Sequence, residues 1–566
     1  IVAAVVALRH PAAPAEAPAD SFESMKIATL TSSGRVRQAA ISPDGNYLAH
    51  AVEENGRYAL LVKQIATGSD IRIVEGLENP VRGVTFSPDG NYVDYVNQET
   101  GGPGYSTLFQ APTLGGSPRK ILFDIDAAVA ISPDGKQIAF PRGYPAENAS
   151  ALMVASADGS GERRLATRKN PDNFALSSVS WAPDGKSIAA IAFVGTKASQ
   201  VLSVDVGSGR TDPLGASTWR RIRSVQWLPD GSGLLVVGRA EMGDRNQIWR
   251  LSPSGERAAR ITNDLNDYGG LSLTASGDRL VTVQNGGFGN LWILPDGTTA
   301  SAKQVTLATR NDNSIFGVSR GPGTSVLIGG SENGKGHIWR IDGGGANRTS
   351  LSPAGWNAGN AILSHDGKFI VFSASKEDGV SHVWRMDADG TNAVQLTTGA
   401  GEQLSDISPD DRWVLYYRPD VNQLWRVPAA GGEGKLYYER SDFGAALSPD
   451  GRYLAAGTFQ RSPQEGLLLR TVLVVPAEGG DPVHTIDWPD GDQLGWMPDG
   501  SALVHVLAEG GADNLWTLPL DGGKGRQLTT FPSGRIYSWA WAADGKGLLL
   551  SRGEAIDDAV MISNFR

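Results

Sequence analysis

The sequence predicts an all-β fold: tandem β-propellers with twelve four-stranded blades, arranged as two six-bladed rings. Three observations carry this. A phrase returns along the chain, as "AISPDGNYLAH" from Ala40, "TFSPDGNYVDYV" from Thr85, "AISPDGKQIAF" from Ala130 and "ALSPDGRYLAAG" from Ala446. The aspartate of the phrase, or of its nearest relative, falls at Asp44, Asp89, Asp134, Asp184, Asp230, Asp366, Asp410, Asp450, Asp499 and Asp544. The steps are 45, 45, 50, 46, 136, 44, 40, 49 and 45, so the long one holds three ordinary ones. Degenerate copies from Leu271 and Phe316 fill it. Four antiparallel strands repeated at such a period are the pattern of propeller blades.

Each copy has the same order of elements. A short apolar strand leads into Ser-Pro-Asp-Gly, where Pro presets the first turn position and Gly supplies positive φ. An alternating strand follows, such as "YLAHAV" or "FIVFSA". After a variable loop, the third strand often carries an aliphatic–Trp pair, as in Ile248-Trp249, Leu291-Trp292, Val383-Trp384 and Leu515-Trp516. A Gly-rich turn then leads to a fourth strand like "AVQLTT" or "GRQLTT". The repeated aspartates are turn formers on this reading, not a row of catalytic carboxylates.

The two ends of the chain suggest how the rings close. "MKIATLTSSG" matches a fourth strand and "AVMISNFR" a third. An edge left open at either end would expose unpaired backbone. The expected solution pairs Lys26–Thr31 beside Leu291–Leu294 in blade six. This frees Ala302–Leu307 to complete blade twelve beside "AVMIS", with the crossover at Pro295–Ser301. Three segments follow: an apolar tail and Pro/Ala linker over 1–24, a first propeller over 25–297 and a second over 298–566.

Composition narrows the function classes. The 566 residues hold 61 acidic and 51 basic side chains, a net charge of −10 that argues against a nucleic-acid partner. There is no cysteine, which excludes disulfides, thiolate metal sites and a thiol nucleophile. "IVAAVVALRH" is too short to span a bilayer and reads as the end of a membrane helix. "PAAPAEAPAD" follows as a stiff spacer.

The "SPDG" turns with "LAF"-like second strands and "RQLTT"-like fourth strands resemble the TolB-like propeller family over nearly everything after residue 25. The opening "ATLTSSGRVRQAAISPDGNYLAHAVEENGRYALLVKQIATGSD", with "LMVASADGSGERRLATRK" and the closing "VMISNFR", resembles the extracytoplasmic region of bacterial receptor-type serine/threonine kinases. That resemblance implies a single-pass anchor, a periplasmic location and a kinase domain upstream.

The remaining motifs were weighed for chemistry. Asp442-Phe443-Gly444 spells the kinase metal-binding triplet, but its partner motifs are missing from the sequence. Gly317-Val318-Ser319-Arg320-Gly321 matches a nucleophile elbow, yet no helical pattern follows it. The seven histidines show no helical metal-ligand spacing. Loops joining a fourth strand to the next first strand gather near the central channel of a propeller. They make Asp126, Asp172, Arg221, Asp264, Asp267, Asp312 and Asp442 the ligand-face candidates, where oxygen ligands could hold a hard cation such as Ca²⁺.

The sequence therefore reads as a non-enzymatic sensor or binding module for a protein, peptide or saccharide, with no catalytic or metal residues and no cofactor. The alternatives are a periplasmic TolB-like scaffold, and a propeller-channel lyase or hydrolase or a peptidase-associated propeller.

Overall fold

A computed structural model describes residues 25–565, apart from 100–104, 145–146, 196–197, 216–218, 241–244, 256, 265, 308–314, 333–334, 343–344, 346, 377–378, 400, 440, 442–443, 462–467 and 489–492. The expected tail and linker over 1–24 lie outside these residues. Among the described residues the regular structure is almost entirely strand, and no helix is long and apolar enough to cross a membrane.

Blade one shows how the repeat folds. Its strands Val36–Ile41, Tyr47–Glu54, Arg57–Gln64 and Asp70–Leu77 pair antiparallel in chain order. In the first turn, Ser42 Oγ donates to Asp44 Oδ1 at 2.5 Å and accepts the Tyr47 N–H at 2.9 Å. Asp44 Oδ1 also accepts the Asn46 N–H at 3.0 Å. Gly45 closes the turn onto the Ser42 carbonyl at φ +75°, a conformation that costs a side-chain-bearing residue energy. These hydrogen bonds favour the charged carboxylate and hold Asp44 below its usual range. The same Ser–Asp contact recurs at Ser87, Ser132, Ser364, Ser408 and Ser448.

A second device fixes the outer edge. The hydroxyl after the fourth strand accepts a third-strand N–H: Thr262 from Ile248 at 2.9 Å, Thr397 from Val383 at 3.0 Å and Thr529 from Leu515 at 2.9 Å. The aliphatic–Trp pair works because successive strand residues face opposite ways. Ile248 packs with Leu280, Val560 and Ile562 on one side of its blade, while Trp249 packs with Trp219 and Val225 on the other.

The chain divides into two units, residues 1–285 with 556–566, and residues 286–555. In unit one, first strands contact from blade to blade, and Asp267–Leu273 of blade six touches both Arg221–Trp227 of blade five and Val36–Ile41 of blade one. In unit two, Arg535–Trp541 of blade twelve and Ile315–Arg320 of blade seven meet in the same way. Each circuit is thereby closed.

Closure differs from the expected scheme. Lys26–Thr29 pairs with the C-terminal segment, Lys26 opposite Ser563 and Thr29 opposite Val560, and not with Leu291–Leu294. Lys303–Gln304 stays beside its own third strand, with Trp292 opposite Gln304. What is exchanged is the third strand. Arg279–Leu294 and Leu548–Ser563 are each 16 residues long. Arg279–Leu294 starts as the second strand of blade six and ends as the third strand of blade twelve. Leu548–Ser563 does the reverse. The divisions accordingly fall at 285/286 and 555/556, not at 297/298.

"QNGGFGN" reads as a loop in the sequence, but its backbone is extended. Glycine answers a close approach on both long strands: a Cβ on Gly287 would lie 2.9 Å from the Glu554 carbonyl oxygen, and one on Gly553 1.7 Å from the Phe288 carbonyl oxygen. Ile27 of the closing strand Lys26–Thr29 is 43% exposed. Leu30 and Met25 supply the apolar contacts instead. Thr31 accepts the Ala559 N–H at 2.9 Å, which makes it blade six's copy of the outer-edge hydroxyl.

Candidate functional site

The innermost strands build the site. Most are bulged, with register shifts at Gly359/Ile362, Leu404/Asp406 and Ile536/Ser538. A bulge leaves ladder groups unpaired and re-aims side chains. Side chains of a neighbouring blade bond to carbonyls at or beside these strands, one of them, Ala361, inside a bulge. Ser319 Oγ donates to Ala361 O at 2.6 Å, Ser405 Oγ to Ala445 O at 2.9 Å and Thr85 Oγ1 to Val129 O at 3.0 Å. The serine of the elbow-like motif is thus one of a series of blade-to-blade ties, on a strand with no helix after it. Asp406 joins the set by accepting the Leu447 and Ile407 N–H groups, each at 2.8 Å. Burial nonetheless pushes its carboxyl up to about 6.

In unit two these strands enclose a cavity of about 590 Å³. Its wall is largely apolar, with Ile362, Leu494, Trp496, Trp539 and Trp541. The titratable groups among the described lining residues are Arg320 and His365. Arg320 donates to the Ser364 carbonyl at 3.1 Å. The buried Trp539 indole N–H has no acceptor among the described residues, whereas those of Trp496 and Trp541 bond to carbonyls. Gly495 makes room for the Trp539 ring, since a Cβ there would meet it at 2.6 Å. A second cavity, of about 810 Å³, shares Gly317, Asn360, Gln493 and Ser538 with the first and is lined also by Asp513 and Arg535, which pair at 3.0 Å.

The seven ligand-face candidates fare differently. Asp126 and Asp172 accept the N–H groups of Gly143 at 2.8 Å and Gly195 at 2.7 Å, so each pins its connector to the following hairpin. Asp267 holds the Asn246 N–H at 2.6 Å, and Asp264 accepts the Tyr268 hydroxyl at 2.7 Å. Arg221 is exposed at the start of its strand, opposite Arg239. Burial and the charges of Arg223 and Arg239 lower its affinity for a proton. None of these five lines either cavity of unit two. Asp312 and Asp442 lie outside the described residues. No group of three or more His, Asp or Glu able to hold a metal forms among the described residues. The described carboxylates of these short connectors are engaged in hydrogen bonds.

Sequence reasoning missed the first cavity because it opens beside the Ser-Pro-Asp-Gly turns, where Pro449, Pro498 and Gly545 line it, and not beside the connectors. One signal was available. The turn that reads Ser-Pro-Asp-Gly from Ser42, Ser87, Ser132 and Ser448 reads Ser364-His365-Asp366-Gly367 in blade eight and Ser408-Pro409-Asp410-Asp411 in blade nine.

The class this architecture defines is the β-propeller, here in tandem. No family model matches the chain. Over 120 residues it is 28% identical to the uncharacterized peptidase YuxL of Bacillus subtilis (strain 168), a match that covers 20% of this chain and 18% of that protein. Among solved structures it is similar to a putative TolB from Agrobacterium tumefaciens, with 18% identity, a TM-score of 0.37, and 47% of this chain and 98% of that one covered. It is also similar to the tricorn protease, with 14% identity, a TM-score of 0.33, and 86% and 49% covered. The expectation that the chain is not an enzyme is corrected by the first of these matches, because that relative is named a peptidase.

Proposed function

We propose that this chain is the propeller part of a peptidase and that the channel of unit two holds the peptide substrate. The relative named as a peptidase carries the reading, and it favours this over a kinase-coupled sensor. The cavity supplies the place. Its apolar, aromatic wall suits side chains of an unfolded segment, and burying them there is favourable at about 25 cal/mol per Å². The His365 ring offers a polar group to a peptide backbone.

Fluorescence anisotropy with a fluorescein-labelled apolar hexapeptide tests this on the full chain. Saturable binding is expected, weakened about tenfold or more by Leu494→Glu, which places a charge in the apolar wall. Failure of the unmodified chain to bind sinks the proposal.

A further inference from the structure

We propose that His365 contacts the bound peptide in the unit-two cavity, accepting a backbone N–H at its Nε2, and that Asp411 positions it. This rests on the peptide-holding role proposed above.

The inference starts from two departures that meet. At four blade junctions the turn proline of one copy faces the turn glycine of the next. A Cβ on Gly90 would lie 3.8 Å from Pro43, one on Gly135 3.7 Å from Pro88, one on Gly451 3.5 Å from Pro409 and one on Gly545 3.6 Å from Pro498. At the blade eight–nine junction both partners change, to His365 and Asp411, and they touch: His365 Nδ1 lies 2.9 Å from Asp411 Oδ1. Asp411 keeps the glycine's place, with its N–H on the Ser408 carbonyl at 2.8 Å. It adopts φ +58°, which glycine takes without strain and aspartate does not. A strained residue facing a residue that breaks the same repeat marks a site where local regularity has been given up.

The geometry fixes the imidazole. Asp411 accepts the backbone N–H of His365 at 2.7 Å and of Asp366 at 2.8 Å. A carboxylate only accepts, so the third contact puts the hydrogen on Nδ1 and leaves Nε2 of the neutral ring as an acceptor. The side chain is 46% exposed and lines the cavity, while Asp411 is 12% exposed and does not line it. An oriented acceptor at an apolar wall fits the N–H of an extended peptide.

The test restores the repeat. The double variant His365→Pro/Asp411→Gly recreates the turn pair found at those four junctions. It should melt at or above the temperature of the unmodified chain, because a strained residue becomes glycine. Its affinity for the labelled hexapeptide should fall about tenfold, the weight of one hydrogen bond to a desolvated partner. Should the double variant melt early, His365→Leu repeats the measurement with the acceptor removed and the bulk kept. In Asp411→Gly, ¹⁵N shifts of the histidine-labelled chain should show His365 losing its single Nδ1–H tautomer. If the unmodified chain binds the peptide and both acceptor-less variants bind within twofold of it, the pair is only a tie between blades and the inference is overturned. If the unmodified chain fails to bind, the peptide-holding role itself falls.

Discussion

Asp94 shows how one side chain can be placed against its own chemistry. It is 5% exposed on the second strand of blade two, with one hydrogen bond, from Gln110 Nε2 at 2.8 Å. Burial outweighs that bond and pushes its carboxyl up to about 6. The folded state therefore holds the proton more tightly than the unfolded chain. The contribution to stability is fully present below the unfolded value near 4 and is lost as pH rises through about 6. Asp94→Asn keeps the acceptor and removes the buried charge. It should stabilise the protein by about 1–3 kcal/mol at pH 8 and have little effect at pH 4, by the equivalence of about 1.4 kcal/mol per pKa unit. Denaturant titrations at the two pH values check this, and an equal effect at both would rule the buried charge out as the cause.

At the scale of the strand, the outer-edge hydroxyl decides whether a fourth strand stays on its blade. Fourth strands are short, sometimes two residues such as Arg526–Gln527, and mostly exposed. Thr529 is fully buried, accepts the Leu515 N–H and donates to Asn514 Oδ1 at 3.0 Å. Thr529→Val conserves shape and strands a buried donor, which costs about 1–3 kcal/mol. Faster amide exchange at Leu515 and along Arg526–Gln527 is the expected signature. An unchanged exchange rate there would mean that packing alone holds the strand.

For the whole molecule, the exchange of third strands makes each unit depend on sequence-distant residues. Unit one takes Val560, Ile562 and Phe565 into its core, each at most 1% exposed. Deleting residues 556–566 should therefore damage unit one, although the cut lies beyond all of unit two. Burial of each large side chain is worth about 1.5–3 kcal/mol, so the loss is a large part of the ~5–15 kcal/mol typical of a domain. Hydrogen exchange should rise in blades one, five and six while blade twelve keeps its protection. Loosening of blade twelve instead would refute the strand assignment. For the same reason the fragment 1–297 should not fold cooperatively, and joining 556–566 after residue 285 should rescue it.

The sequence by itself determined the blade. Turn, alternating strand, aliphatic–Trp strand and closing threonine are local patterns whose causes lie within a few residues: positive φ at Gly45, the hydroxyl of Ser42, two-residue periodicity around Trp249. Tertiary structure decided everything that depends on which copy meets which. A fourth strand such as Lys26–Thr29 carries no label for its partner, because backbone hydrogen bonds are the same against any third strand. Side chains choose it: Val560 and Ile562 fit against Leu280, and Thr31 accepts the Ala559 N–H. The site follows the same logic. His365 and Asp411 stand 46 positions apart, and each alone is an unremarked variant of a turn. The blade-to-blade packing that presses proline on glycine at four other junctions is what brings the imidazole onto the carboxylate.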